Sequence, residues 1–315
     1  MISRKSQKIK QALVSYKNAI PPAKTVEEAR TRMDIFGNRD KGALESMIEP
    51  VQNEKIRGEW LRCGEADPGK AILYLHGGAF ITGSSQSARR LALHIAKAAQ
   101  CQVFTLEYRL APEYPFPAAL EDTVAAYQWL LGQGILPEGL LLAGESAGGG
   151  LAVSAMLALR EARLKLPAGA VLITPWADLS VGEEERSLKA DRDPWYHPDA
   201  IESKAAGLYA GERDVCDPLI SPVYADLSAL PPILIQTAGD DVLYEDSLKL
   251  YDRGKKAGVD MHMELWEGIW RVWRQFAAKS PEAEEAVSEI GEFSKYQLKI
   301  GCATRFCTSD NNAFP

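Results

Sequence analysis

Histidine and cysteine are both scarce in this 315-residue chain, which contains four histidines and five cysteines. The cysteines are odd in number and scattered, without the spacing of a metal site: Cys63, Cys101, Cys216, Cys302 and Cys307. Reduced cysteines of this kind are typical of a cytoplasmic protein, which is the location we expect.

An excess of positive charge is also missing. Lysine and arginine total 36 against 43 aspartates and glutamates, so the formal net charge is -7. No basic run offsets this balance, which argues against nucleic-acid binding. Residues 1–10 carry positive charge without an apolar segment behind them, so we expect no secretory signal. No apolar run approaches the length of a membrane span.

The middle of the chain alternates short apolar runs with segments of helical periodicity. The periodic segments cover 88–99, 118–131, 149–163 and 245–257, and the apolar runs lie at 71–75, 102–106, 139–143, 170–174, 232–236 and 261–266. This alternation predicts an α/β fold with a mostly parallel sheet. Runs near 45–51 and 56–62 would add antiparallel strands at one edge, which makes eight strands flanked by helices.

Two segments depart from this alternation. Residues 1–40 are predicted to form one or two amphipathic helices, and we name them the first cap segment. Residues 180–228, the second cap segment, are charged, contain proline and include a predicted helix at 198–210. Both would cover the carboxyl edge of the sheet, where α/β proteins bind ligands. Residues 41–300 would then form the main domain, and 301–315 a disordered tail.

A serine turn lies in the centre of the chain, at Gly144-Glu145-Ser146-Ala147-Gly148. A run typical of a strand precedes it, and a small, apolar run with helical spacing follows. Flanking glycines permit the sharp turn that presents a serine hydroxyl at the top of a sheet. The motif and its context predict a nucleophile elbow with Ser146 as the nucleophile.

A glycine-containing loop, His76-Gly77-Gly78-Ala79-Phe80, directly follows the predicted strand at 71–75. Glycines after a strand let backbone N–H groups face a cleft and stabilise a developing oxyanion. His76 is expected to brace this loop rather than to transfer protons. The predicted oxyanion hole combines this loop with the residue after the serine, that is Gly77, Gly78, Ala79 and Ala147.

Together these motifs resemble the hormone-sensitive-lipase-like family of α/β-hydrolases, which includes the bacterial family IV esterases. The resemblance covers roughly residues 25–298, with further matches at 108–119, Thr174-Pro175-Trp176, Asp217-Pro218, Ser221-Pro222 and 239–268. It implies an α/β-hydrolase fold with a helical cap. It also implies hydrolysis of short- to medium-chain carboxylic esters through an acyl-enzyme, without a metal or organic cofactor.

The resemblance places the acid of a Ser–His–Asp triad after the strand at 232–236, where two aspartates are adjacent. We assign the acid to Asp240. The alternative is Asp241, which otherwise would cap the following helix.

The base departs from the family pattern, because Arg271 stands where the family has its histidine, in Glu267-Gly268-Ile269-Trp270-Arg271. Guanidinium has a pKa above about 12 and no lone pair, so it cannot accept the serine proton. We expect Arg271 to pair with Asp240 through both carboxylate oxygens. The remaining histidines, His94, His197 and His262, are expected to be structural, with His197 on the second cap segment as the alternative base.

The expected function is carboxylic ester hydrolysis, inactive or strongly impaired by Arg271 and restorable by Arg271→His. Phe80 and Trp270 are predicted to line the substrate pocket, because their neighbours carry the chemistry. The alternative is a non-catalytic protein that binds a small carboxylate or ester, anchored by Arg271. The expected partner is a small-molecule ester, and a homodimer is compatible with the sequence.

Overall fold

The structure is a computed structural model that describes residues 2–37, 47–64 and 66–301. Within these residues one sheet has the strand order β1-β2-β4-β3-β5-β6-β7-β8. Its strands are β1 (Ile48–Gln52), β2 (Arg57–Leu61), β3 (Ala71–Leu75), β4 (Gln102–Leu106), β5 (Leu140–Glu145), β6 (Gly169–Ile173), β7 (Ile233–Ala238) and β8 (Met261–Trp266).

The pairing of the strands is mostly parallel. β2 runs antiparallel to both β1 and β4 at one edge, and all neighbours from β4 to β8 are parallel. The predicted fold class, an eight-stranded mostly parallel sheet flanked by helices, is therefore confirmed. Parallel strands end at one edge of the sheet, so the loops that follow β3, β5, β7 and β8 are brought together.

Helices cover both faces of the sheet, and the central strands are therefore buried on both sides. Alternate residues separate the core into two clusters, with Leu73 and Leu142 on one face and Ile72 and Leu141 on the other. The helices are α1 (Arg4–Ala19), α2 (Val26–Gly37), α3 (Ser85–Ala99), α4 (Ala118–Gly132), α5 (Ala147–Glu161), α6 (Glu183–Ser187), α7 (Ala205–Ala210), α8 (Tyr244–Lys256) and α9 (Pro281–Leu298).

The first face packs against α4, α5 and α8, and the second against α3 and α9. No helix among the described residues is both long and apolar enough to cross a membrane.

The two predicted cap segments contact each other. Lys17 of α1 donates to the carbonyl oxygens of Ala190 (2.6 Å) and Asp193 (3.0 Å) in the second segment. The Ile201 N–H also donates to the Ala23 carbonyl at 2.9 Å. The helix predicted at 198–210 forms as a 3-10 turn over Ile201–Lys204, followed by α7. Of the predicted disordered tail, residues 302–315 lie outside the described residues.

Glu282 fastens the first cap segment to the main domain. Its Oε2 accepts from the hydroxyls of Ser3 (2.9 Å) and Ser6 (2.6 Å), and its Oε1 from the Ser3 N–H. Burial opposes ionisation, but these donors prevail and lower the pKa of Glu282 to about 2. The carboxylate thus joins the start of α1 to the start of α9.

Glu282→Gln should weaken this attachment. A lowered pKa means that the ionised form stabilises the fold above the ordinary carboxyl pKa, and that this stabilisation is lost as the pH falls from about 4.5 to about 2. We expect the variant to lose about 1 kcal/mol of unfolding free energy at neutral pH, a figure reduced for partial exposure, and less in acid. Urea unfolding across this range measures both effects.

Glu292→Gln is the matched control, because Glu292 lies on the same helix in a surface pair with Lys295. Equal losses in the two variants at neutral pH would contradict the role given to Glu282.

Candidate active site

Ser146 occupies a strained turn between β5 and α5. Its backbone has φ 54° and ψ -118°, a conformation that costs energy for a residue with a side chain. The Ser146 N–H donates to the Ile173 carbonyl at 2.9 Å, and the Ser146 carbonyl accepts from the Trp176 N–H at 2.8 Å. A side chain on Gly148 would collide with the carbonyls of Leu75 and His76. These contacts hold the predicted elbow in place.

The loop after β3 lies directly beside this serine. A Cβ added to Gly77 would stand 3.5 Å from the Ser146 Cβ, so the backbone of the loop passes close to the nucleophile. Gly78, Ala79 and Phe80 all have positive φ angles, of 122°, 53° and 62°. Such angles in non-glycine residues concentrate at functional sites. The structure therefore brings together Ser146, Ala147 and the loop predicted to form the oxyanion hole.

His76 is buried beneath its own loop. Its ring stacks on Tyr108 with centroids 4.0 Å apart, and its Nδ1 donates to the Gly77 carbonyl at 2.7 Å. The Tyr108 hydroxyl donates to the His76 carbonyl at 2.8 Å. Burial lowers the pKa of His76, which favours a neutral ring. These contacts brace the loop, as the sequence predicted for this residue.

Asp240 and Asp241 follow β7 but have different surroundings. The Asp240 carboxylate pairs with Lys10 of α1 at 2.5 Å and is partly exposed. Asp241 is fully buried, and its Oδ1 accepts from the Leu243 N–H at 2.8 Å. Burial, and then the charge of Asp193, raise the pKa of Asp241 to about 8, while Arg271 acts in the opposite direction.

The ion pair of Arg271 differs from the expected one. Its Nε lies 3.4 Å from Oδ2 of Asp193, a fully buried residue of the second cap segment. The expected pairing of Arg271 with Asp240 is therefore wrong, because the Asp240 carboxylate binds Lys10 instead. Asp241, the alternative acid, is one of the carboxylates whose charge acts on Arg271.

Acidic groups surround position 271. Burial opposes the charge of the guanidinium, but the carboxylates of Asp193, Asp241, Glu145 and Glu202 prevail and raise the pKa of Arg271. Arg271 therefore stays protonated and has no lone pair to offer a serine proton.

A second guanidinium, Arg274, lies in the buried region behind the site. Its Nε donates to Gln236 Oε1 at 2.6 Å, and its carbon Cζ lies 3.4 Å from the centre of the Trp273 ring. Burial lowers the pKa of Arg274 to about 9. Its charge acts on Glu145, the residue before the nucleophile, whose own pKa is raised by burial.

The two predicted pocket residues belong to different core clusters. Phe80 stacks flat on Tyr209 with centroids 3.6 Å apart and lies 6.0 Å from the Trp176 ring, in the core cluster that contains Ala147. Trp270 is fully buried in the other cluster, against Phe276. The assignment of Trp270 to the substrate pocket stays a prediction.

Two of the histidines outside the loop have partners close to them in sequence. His197 accepts from the Asp199 N–H at 3.2 Å within the second cap segment. His262, on the outer strand β8, pairs with Asp260, which directly precedes that strand. His94 lies on α3.

Sequence reasoning missed Asp193 altogether. The only signal at this position is an aspartate followed by a proline, Asp193-Pro194, inside a charged segment. Nothing in that pattern relates it to Arg271, which is far away along the chain.

Comparisons with known proteins agree with this geometry. A family model described as an alpha/beta hydrolase fold matches residues 72–274. An acetyl-hydrolase of Streptomyces hygroscopicus is 43% identical over 235 residues, which cover 75% of this chain and 78% of that protein. An esterase of Acinetobacter venetianus is 33% identical over 247 residues, which cover 78% of this chain and 81% of that protein.

Solved structures are similar over almost the whole chain. The crystal structure of an esterase from the bacterial hormone-sensitive lipase family has a TM-score of 0.86 at 38% identity. The match covers 95% of this chain and 99% of that one.

Asp241→Asn should flatten the pH dependence of stability. A carboxyl with a raised pKa contributes fully at low pH, and its contribution is lost as the pH rises from about 4 to about 8. We expect the unfolding free energy of the unsubstituted chain to fall by on the order of a few kcal/mol over this range, and that of the variant to fall less. Urea unfolding at several pH values measures the difference.

Asp240→Asn serves as the control, since this neighbouring carboxylate is paired with Lys10 near the surface. The assignment is contradicted if Asp240→Asn flattens the curve and Asp241→Asn does not.

Proposed function

The chain belongs to the hormone-sensitive-lipase-like family of α/β-hydrolases, and on that premise we propose that its site is built to hydrolyse short-chain carboxylic esters but works only at trace level. Ser146 is the nucleophile, and the carbonyl oxygen of the ester is held by backbone N–H groups of residues 77–79 and Ala147. The observation that carries this proposal is that the strained elbow lies directly beside the loop after β3.

The reaction follows from this arrangement in two steps. The Ser146 hydroxyl attacks the ester carbonyl, the alcohol leaves, and an acyl-serine remains; water then releases the acid and regenerates the serine. Each step develops an oxyanion, which the N–H groups stabilise. Each step also needs a base, first for the serine proton and then for a proton of water.

We assign the acid of this triad to Asp241 in place of Asp240. Burial beside the charge of Arg271 supports Asp241, because a triad acid must reach the residue at the base position. The carboxylate of Asp240 is already paired with Lys10.

Arg271 limits the rate of this site. Its guanidinium remains charged among the surrounding carboxylates, so it cannot serve as a base in either step. Removing the triad histidine of a serine hydrolase costs on the order of 10⁶ in turnover, and the oxyanion hole with substrate binding retains about 10³–10⁴ over water.

A short acyl group is favoured by the aromatic residues on the nucleophile's side of the sheet. Phe80 stacks on Tyr209 and lies 6.0 Å from the tilted Trp176 ring, and this buried group leaves little freedom for rearrangement. The 43% identical relative carries the name acetyl-hydrolase, which agrees with an acetyl-sized acyl group.

The alternative, a carboxylate-binding protein anchored by Arg271, receives less support. An incoming carboxylate would have to displace Asp193, whose Oδ2 lies 3.4 Å from the Arg271 Nε, and would itself lose its water on entering this buried region. The charge that such a ligand requires is already balanced within the protein.

Arg271→His should restore esterase activity, because an imidazole can accept the serine proton. We expect the hydrolysis of p-nitrophenyl acetate to rise by on the order of 10³-fold or more in kcat/KM. Arg271→Gln is the matched control without a base and should show no such gain. A gain that survives Ser146→Ala, or an equal gain in Arg271→Gln, would sink the proposal.

The unsubstituted chain should accumulate an acyl-serine. p-Nitrophenolate leaves without being protonated, whereas the acyl-serine is an alkyl ester whose hydrolysis needs an activated water. We expect slow release of about one equivalent of nitrophenol, and a mass increase by one acetyl group that is absent in Ser146→Ala. Steady turnover without an adduct would argue for a base elsewhere, such as His197.

A further inference from the structure

Asp193 connects the second cap segment to two loops of the main domain, the one after β7 and the one after β8 that carries Arg271. Its Oδ2 lies 3.4 Å from Arg271 Nε and accepts from the Val242 N–H at 3.4 Å. Its Oδ1 accepts from the Trp195 N–H at 2.8 Å, which holds the carboxylate within its own loop. The residue is fully buried. One carboxylate therefore touches the residue after Asp241 and the side chain at position 271.

We propose that Asp193 is a positioning residue of this site, which fixes the side chain at position 271 from the cap segment. The proposal rests on the esterase function above and adds a second carboxylate, beside Asp241, to the base position. A base at that position would then be oriented by two acids, one from the main domain and one from the cap segment.

The burial of Asp193 makes its contact with position 271 energetically important. A carboxylate removed from water must be compensated by a cation or by donors, and removing its partner is costly. Asp193 has two backbone N–H donors and the guanidinium of Arg271. Lys17 of α1 donates to the Asp193 carbonyl and thereby ties the first cap segment to the same loop. The chain of contacts thus runs from α1 through Asp193 to position 271.

An imidazole at position 271 would feel several charges. The titratable groups that interact electrostatically with this position, or with its acidic neighbours, are Asp193, Asp241, Glu145, Glu202, Lys17, Tyr196, Arg274 and Arg32. Among them, Asp193 has the short contact with the side chain itself. An opposite charge at this distance favours the protonated imidazole, so removing Asp193 should make the base titrate at lower pH.

The test uses Arg271→His with and without Asp193→Asn. NMR titration follows the introduced imidazole, which is distinguished from the native rings by comparison with the unsubstituted chain. We expect Asp193→Asn to lower its pKa by about 1 or more. The acid limb of the kcat/KM profile should move by the same amount, and kcat should fall about tenfold with a smaller change in KM, because orientation is lost.

Two further variants separate positioning from a structural effect. Asp191→Asn removes an exposed carboxylate two residues away in the same loop, and should leave both readouts unchanged. Asp193→Glu keeps the charge and should retain most of the raised imidazole pKa, including where Asp193→Asn fails to fold. An imidazole pKa that is the same with aspartate, glutamate or asparagine at position 193 overturns the proposal.

The same experiment distinguishes failure of the esterase proposal from failure of the role given to Asp193. If Arg271→His has no activity but its imidazole pKa depends on Asp193, the esterase proposal fails and the contact stands. If the variant is active and its profile does not change with Asp193→Asn, the role of Asp193 is refuted while the esterase function remains.

Discussion

The close approach of α5 to the end of β3 is the contact on which the whole site depends. Leu75 lies opposite Gly144 in the parallel pairing of β3 with β5, so both strands end at the same level. Gly148 then lies against the Leu75 carbonyl, where any side chain would collide. Because no side chain fits between α5 and the end of β3, Ser146 and the loop at Gly77 are held side by side.

The buried charges at position 271 impose a second constraint. Glu145, Asp193, Glu202 and Asp241 act together on Arg271, and carboxylates removed from water need a proton or a cation. An arginine meets this need permanently. Because its guanidinium is always charged, arginine cannot transfer protons, a task that requires a group that both gains and loses a proton near neutral pH. The fold and the reaction thus place different demands on one residue, and arginine satisfies those of the fold.

Local patterns predicted most of the fold and half of the site. The strands β3 to β8 lie within two residues of the predicted runs, since apolar runs between turns leave few alternatives. The elbow and the loop at 76–80 were found because their geometry is encoded within a few adjacent residues. The partner of Arg271 was predicted wrongly, since Lys10 and Asp193, both distant along the chain, decide how the charges pair.

By itself, the sequence determined the fold class, the serine turn with its glycine loop, and the arginine at the position where a histidine is expected. These features depend on residue type and short-range spacing, which can be read along the chain. Only the tertiary structure decided that Asp240 binds Lys10, that Asp241 is buried, and that Asp193 reaches Arg271 from the second cap segment. Pairing between buried charges depends on which distant segments exclude water from the same place, and chain folding alone brings those segments together.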